Sequence, residues 1–509
     1  AGATPRRSAP ARVRTVTLDL AGPSRPLHLG SGLLGYYRRT PERFQRLLEP
    51  FILSMAAVRW DVCPPVRDIP AGLNNSAMDR WVAEAGAGDG REAERRTVLA
   101  ALELQERYGV ELVGTCTELP PTLYHRTLDT PPTAGAGPGP GAADPFDAGA
   151  GPADGAQDEL FNTRRIADWA RFVAASAAAA RARGVRLAAL DVPARMEPRV
   201  VLTPAQYTYL VTVLRRELDH RGLGVPIAGP GVPVQFVDRY TESLDEEALD
   251  AVGAWSLCVY DTLRPTGPQL LTRLDAALRA AVARLRALDI SANKKLYVTK
   301  FGVRTSGEHS VQGACYADEG GEATHLDALR NPAAYAVRLL AVQLLVANAR
   351  VDAALYARLA DRPGPRACPG LFDRQDRPKA WALPLLRLWS ALPPEAAALA
   401  RTWTDDEVVT AAIAARDRSS LVIAAVNLHA TEARELSATV RMRQARLAQA
   451  HVFNRDGDGG MESEGKHAHG LVRVAKVPGG DRLTLNATLP PLSALVAVLR
   501  PPVDAASLE

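Results

Sequence analysis

The chain runs to 509 residues, 47% of them hydrophobic, 23% charged and 6% aromatic, with 61 basic against 57 acidic side chains and a formal charge of +4. That length exceeds one compact domain and points to two, since a domain usually holds ~100 to 250 residues. So even a balance gives no net field that would argue for a nucleic acid or a membrane surface as partner, and no apolar run approaches the ~18 residues a spanning helix needs.

The first residues, "AGATPRRSAPARVR", are polar, small and proline-containing. This is the character of a chain exposed by removal of a signal peptide, so export to the periplasm or the extracellular space is the expectation. The abundance of alanine and arginine suggests a GC-rich bacterial genome. Residues 1–25 read as an N-terminal segment. Short apolar runs then alternate with longer helical patterns: "LHLGSGLLG", "AAVRWDV", "VELVGTC", "VRLAALDV", "GVPIAGP", "AVGAWSLCVY", "KKLYVTKFG" and "VDAALYARL". Helices with an apolar face are expected between them at Arg165 to Arg183, Pro204 to Arg221, Gly267 to Leu288 and Asn331 to Asn348. Alternation between strand-like and 3.6-residue periods over eight units predicts an α/β fold, a (β/α)8 barrel over residues 26–395. One segment, Pro131 to Asp158, is too rich in Gly, Pro and Ala to pack a core and reads as a low-complexity loop insertion after the third strand.

From about Arg401 the helices cease and strands follow one another: "VVTAAIAA", "SSLVIAAVNLH", "ELSATVRM", "RLAQAHVFN", "LVRVAKV", "RLTLNATLP" and "SALVAVLRP". They predict a C-terminal all-β sandwich over residues 396–503.

Cys63, Cys116, Cys258, Cys315 and Cys368 show neither CxxC nor Cys/His ligand spacing, and the "HAHG" at His467 to Gly470 stands without further ligands. No metal or other cofactor is expected. An odd count in an exported chain permits at most two disulfides. Neighbouring loops of a barrel make Cys315 with Cys368 the first candidate pair and Cys63 with Cys116 the second, buried free thiols being the alternative.

The barrel and sandwich, with "VRWDV" on the second strand and "GLFDRQDRPKAWALPLLRLWSAL" closing the barrel, resemble the clan-A retaining glycoside hydrolases, families 30 and 39 in layout. Such a site needs two carboxylates ~5 to 5.5 Å apart, an acid/base and a nucleophile, at the C-terminal ends of two strands. The resemblance puts the acid/base after the fourth strand, in "LDVPARMEP", and the nucleophile at the end of the seventh, in "VTKFG". Those positions hold Val192 and Lys300. Valine donates no proton and lysine forms no glycosyl ester, so no catalytic pair is expected. Arg59 and Tyr260 are retained, and the resemblance implies a binding set of Arg59, Asp61, Glu118, Asp191, Tyr260, Lys300 and Arg358 for a glycan or polysaccharide. Lys300 is expected to meet Asp191 in an ion pair that closes the site, with Arg59 turned towards Asp61. The rival is that Lys300, Arg59 and Arg358 leave a positive pocket for an acidic sugar. Two further alternatives stay open: an active hydrolase with relocated carboxylates at Glu118, Asp191 or Glu197, and a structural module that meets a protein partner.

Overall fold

The computed structural model describes residues 13–18, 24–32, 57–64, 66, 68–85, 90–116, 120–126, 159–196, 200–263, 269–289, 291–305, 332–356, 370–372, 377–392, 396–399, 407–417, 419–441, 446–455, 461–463, 471–476 and 482–500. The insertion at 131–158, the HAHG histidines and both Cys315 and Cys368 lie outside these.

Eight parallel strands close into a barrel: β1 (His28–Gly32), β2 (Ala57–Asp61), β3 (Glu111–Thr115), β4 (Ala189–Asp191), β5 (Ile227–Pro233), β6 (Val252–Leu263), β7 (Leu296–Thr305) and β8 (Ala353–Tyr356). Each starts within the apolar run that predicts it. The intervening helices include α1 (Ile166–Ala182), α2 (Pro204–His220), α3 (Gln269–Leu288) and α4 (Pro332–Asn348). The start of α2 is written in the sequence: Thr203 accepts from the Gln206 amide, Gln206 returns the bond to the Thr203 N–H, and Pro204 stands where a helix has no amide bond to make.

The N-terminal half of the barrel lumen is filled by an apolar layer of Ala57, Val113, Ala189, Ala228, Ala254, Tyr297, Ala353 and Leu355. Five of these are alanines, so the Tyr297 ring supplies much of the volume that valine and isoleucine give in other barrels. Burial first, then the charges of Glu111 and Asp352, hold its hydroxyl well above the ordinary phenol range.

Among the described residues there are three further sheets: a small one of Tyr124–Arg126, Glu159–Phe161, Val200–Val201 and Arg195–Met196, and the two of the sandwich. One orders Ser24–Pro26, Ala396–Leu399, Val408–Ala415, Leu421–Asn427, Ser493–Arg500, Arg446–Arg455 and Met461–Ser463; the other orders Val13–Leu18, Arg434–Arg441, Arg482–Leu489 and Val472–Lys476. The seven-stranded sheet is buried on both faces. Val409, Ala411, Ile413, Val422, Val496 and Val498 join the core around the barrel helices, while Val408, Ala412, Ile423, Leu495 and Leu499 pack towards the four-stranded sheet. That is why its strands read as unbroken apolar runs, whereas Arg482–Leu489 on the outer sheet alternates buried with exposed positions. Helix α4, apolar nearly all round, lies between the barrel and this sheet, with Asn348 donating to the Thr410 carbonyl at 2.8 Å. The helix Leu383–Ala391 adds Arg387, which bonds Gln449 and His451 across the same boundary.

The strands Val13–Leu18 and Ser24–Pro26 join the sandwich: Val13–Leu18 runs parallel to Arg434–Arg441, and Ser24–Pro26 pairs with Ala396–Leu399. The sequence offers these two short strands no helical partner and no hairpin neighbour, so local pattern alone does not place them.

Candidate functional site

On a strand, side chains two residues apart share a face. Two residues beyond Ala57, Val113, Ala189 and Ala254 of the apolar layer stand Arg59, Thr115, Asp191 and Ser256, each at most 1% exposed. The strands β2, β3, β4 and β6 therefore turn from an apolar to a polar layer at one level. Arg59 Nε lies 3.2 Å from Asp191 Oδ2, with both side chains essentially buried. That contact is within ion-pair range but off the geometry of a hydrogen bond. Arg59 Nη2 donates to Thr115 Oγ1 at 2.9 Å, and Ser256 Oγ donates to Asp191 Oδ1 at 2.9 Å. Among the described residues the carboxylate's ion-pair partner is thus Arg59, where the sequence reading expected Lys300 for Asp191 and Asp61 for Arg59. The reason is lateral: β2 and β4 flank β3, and an inward arginine spans that gap.

Asp191 also acts outside the barrel wall. Tyr207 of α2 packs against β5, its hydroxyl only 1.6 Å from where a Cβ on Gly229 would stand. Burial, then the Asp191 charge, then Tyr240, keep that hydroxyl protonated far above the usual phenol range, and it has no hydrogen-bond partner. Gly231, at φ +64°, brings β5 against the end of β4, where an added Cβ would meet Pro193 Cα at 2.7 Å.

Val192 is buried at 4% exposure and lines a small cavity with Trp169 and Val173 of α1, Leu190, Asp191, Pro193 and Cys116. Its own side chain has no proton to donate there. Lys300 sits on β7 just past a bulge: Val298 pairs with Leu257, but Lys300 pairs with Cys258, so Thr299 is the extra residue. Bulges re-aim the side chains that follow them. Lys300 is 7% exposed and shares its ladder level with Cys258, whose buried thiol donates to the Gly231 carbonyl at 3.3 Å. Tyr260 and Asp61 are half-buried at the mouth ends of β6 and β2. Tyr260 and Tyr356 both approach Gly302, at 3.5 and 3.8 Å from its missing Cβ. Tyr356, on β8, is 2% exposed and packs edge-on to Phe301, so it is core. Glu118, Glu197 and Arg358 lie outside the described residues.

Thr115, Ser256 and Tyr207 were not picked out in the sequence. The first two were legible through the two-residue step from an inward alanine or valine; Tyr207 was not, because only the close approach at Gly229 brings it near β4. The loop ends after β2 and β3 are tied by a Cys63–Cys116 disulfide with Cα atoms 5.1 Å apart, the second of the two expected pairs, and the buried Cys258 is outside any disulfide.

No family model and no curated protein matches the chain by sequence. Solved structures do match by shape. The GH30 endoxylanase from Clostridium papyrosolvens C71 superposes with a TM-score of 0.56 at 13% identity, covering 96% of this chain and 100% of that one. The GH39 enzyme from Xanthomonas axonopodis pv. citri gives 0.54 at 13%, covering 98% and 100%. The GH51 arabinofuranosidase from the same organism gives 0.54 at 15%, covering 96% and 99%. The chain therefore has the fold of these glycoside hydrolases, barrel and sandwich together. At such identity the likeness is one of fold.

Proposed function

We propose that this protein is a glycoside-hydrolase-like barrel that binds a glycan or polysaccharide at its mouth without cleaving it. The observation that carries the reading is Asp191. It is the one carboxylate buried among the described residues of the polar layer, and Arg59 and Ser256 engage it at 3.2 and 2.9 Å with no side-chain exposure. With no side-chain surface exposed, this carboxylate is out of contact with a sugar carbon or a leaving-group oxygen at the mouth. The positions that the resemblance assigns to acid/base and nucleophile support the same reading, since Val192 has no proton to donate and Lys300 is a cation. What remains at the mouth ends of the described strands is the half-buried Tyr260 and Asp61 with Lys300, side chains of the kinds that meet sugars.

The disulfide between Cys63 and Cys116 supports an exported protein, since such bonds persist in oxidising compartments. Among the described residues no helix is long and apolar enough to cross a membrane.

The test is an aryl-glycoside and polysaccharide panel run beside a glycan array. Binding without turnover is expected. Turnover that disappears in Glu118→Gln or Glu197→Gln would instead establish a hydrolase with relocated carboxylates, and absence of both binding and turnover would leave a structural or protein-binding module.

A further inference from the structure

The end of the barrel opposite the mouth holds a cavity of about 300 Å³, where the connections into β4 and β5 pass beside the last turns of α1. Side chains that bind backbone hold both connections in place. Gln105, on the helix Gly90–Tyr108, accepts from the Arg186 N–H at 3.0 Å and donates to the Arg186 carbonyl. Arg215 of α2 donates to the Val225 carbonyl at 2.9 Å and to the Leu223 carbonyl at 2.6 Å, and Arg181 of α1 donates to the Gly222 carbonyl at 2.8 Å. The walls are thus set before any ligand arrives, which lowers the ordering cost of binding.

The lining is of two kinds. Ala177, Val185, Leu187, Leu223, Val225 and Pro226 make aliphatic walls with no ring among them. Arg181 and Arg186, both exposed, are the charged groups, and no carboxylate lines the cavity. Among the described residues neither arginine has an ion-pair partner: Arg181 gives Nη1 to Gly222 and keeps its other donors, and Arg186 keeps its whole guanidinium. By contrast Arg171, Arg215, Arg216 and Arg221, on the same two helices and the residue that follows them, each have a carboxylate oxygen within 3.3 Å. The missing counter-charge is therefore local to the cavity.

We propose that this cavity binds an aliphatic carboxylate, its hydrocarbon chain against Leu187, Leu223 and Val225 and its head at Arg181 and Arg186. A planar carboxylate matches the fork of a guanidinium, and aliphatic walls of this volume suit a short unbranched chain. The site is separate from the mouth, since it precedes β4 and β5 where the mouth follows them.

Calorimetry on the full chain at one ionic strength compares octanoate with 1-octanol, which has the tail without the charge, and with acetate, which has the charge without the tail. Octanoate is expected to bind at least about tenfold more tightly than either. Arg186→Gln changes an exposed side chain and leaves the backbone bonds to Gln105 intact, and it is expected to remove most of the advantage over octanol. Gly224 lines the cavity, lies outside the left-handed region and has no atom within 4 Å of where a Cβ would stand, so Gly224→Leu adds bulk without strain and is expected to abolish octanoate binding. Absence of octanoate binding, octanol or acetate binding as tightly as octanoate, an advantage unchanged in Arg186→Gln, or binding that survives Gly224→Leu would each overturn the proposal. None of these outcomes bears on the glycan reading, whose array tests the other end of the barrel.

Discussion

Arg59 and Asp191 depend on each other because neither can be solvated. Breaking a buried ion pair from one side costs ~3 to 5 kcal/mol, mainly the unpaired charge left behind. Arg59→Met is expected to lose that much in urea denaturation, and Arg59→Met/Asp191→Leu to regain most of it, since two apolar groups leave no orphan. Val192→Glu with Lys300→Glu, the change that rebuilds the carboxylates implied by the resemblance, is expected to give no strong hydrolysis. The carboxyl introduced by Val192→Glu would enter the small cavity lined by Trp169, Val173 and Asp191, and misplacement by even ~1 Å can lose about 100-fold in rate. Robust turnover of 4-nitrophenyl glycosides by the double variant would contradict this. The sequence displayed both Arg59 and Asp191 but not their partnership, because a salt bridge between β2 and β4 depends on side-chain reach across β3 and leaves no local pattern.

The strand is the scale at which the sequence speaks most clearly, and also where it stops. All eight barrel strands and the four helices named with them follow from periodicity, since burial of one face or of both writes itself into the order of apolar residues. The bulge at Thr299 does not, because an extra residue in a run that is apolar on both sides changes no pattern. Gly229 and Gly231 likewise look like ordinary breaks in "IAGPG". A Cβ on Gly229 would overlap the Tyr207 hydroxyl, so Gly229→Ala is expected to cost at least ~1 to 3 kcal/mol, the usual range for overpacking. Tyr207→Phe, which removes a buried hydroxyl lacking a partner, is expected to be neutral or slightly stabilising and to relieve part of the Gly229→Ala loss. Thermal melts of the two single variants and the double decide it. The disulfide after β2 and β3 closes a loop with a sequence separation of 53, for which chain-entropy reasoning gives about 4 kcal/mol. Cys63→Ala/Cys116→Ala is expected to lower the urea midpoint accordingly.

At the scale of the whole molecule, the seven-stranded sheet belongs to two cores at once, and α4 and the helix Leu383–Ala391 pack on the barrel-facing one. Calorimetry of the full chain is therefore expected to show one transition in place of two, and a second resolved transition would mean that the shared sheet does not couple its two faces. The sandwich was legible as a run of strands, but its extent was not, because Val13–Leu18 meets Arg434–Arg441 only after the barrel has intervened. The order of synthesis inherits this arrangement. Val13 faces Glu435 and Arg25 faces Ala398, so two strands that leave the ribosome ahead of the barrel are among the last to find their neighbours. Throughout the making of the barrel they travel as unpaired edges, open to pairing with another nascent chain. Completion of the C-terminal strands, and not of the barrel, is then what releases this protein from the hazard of aggregation during its birth.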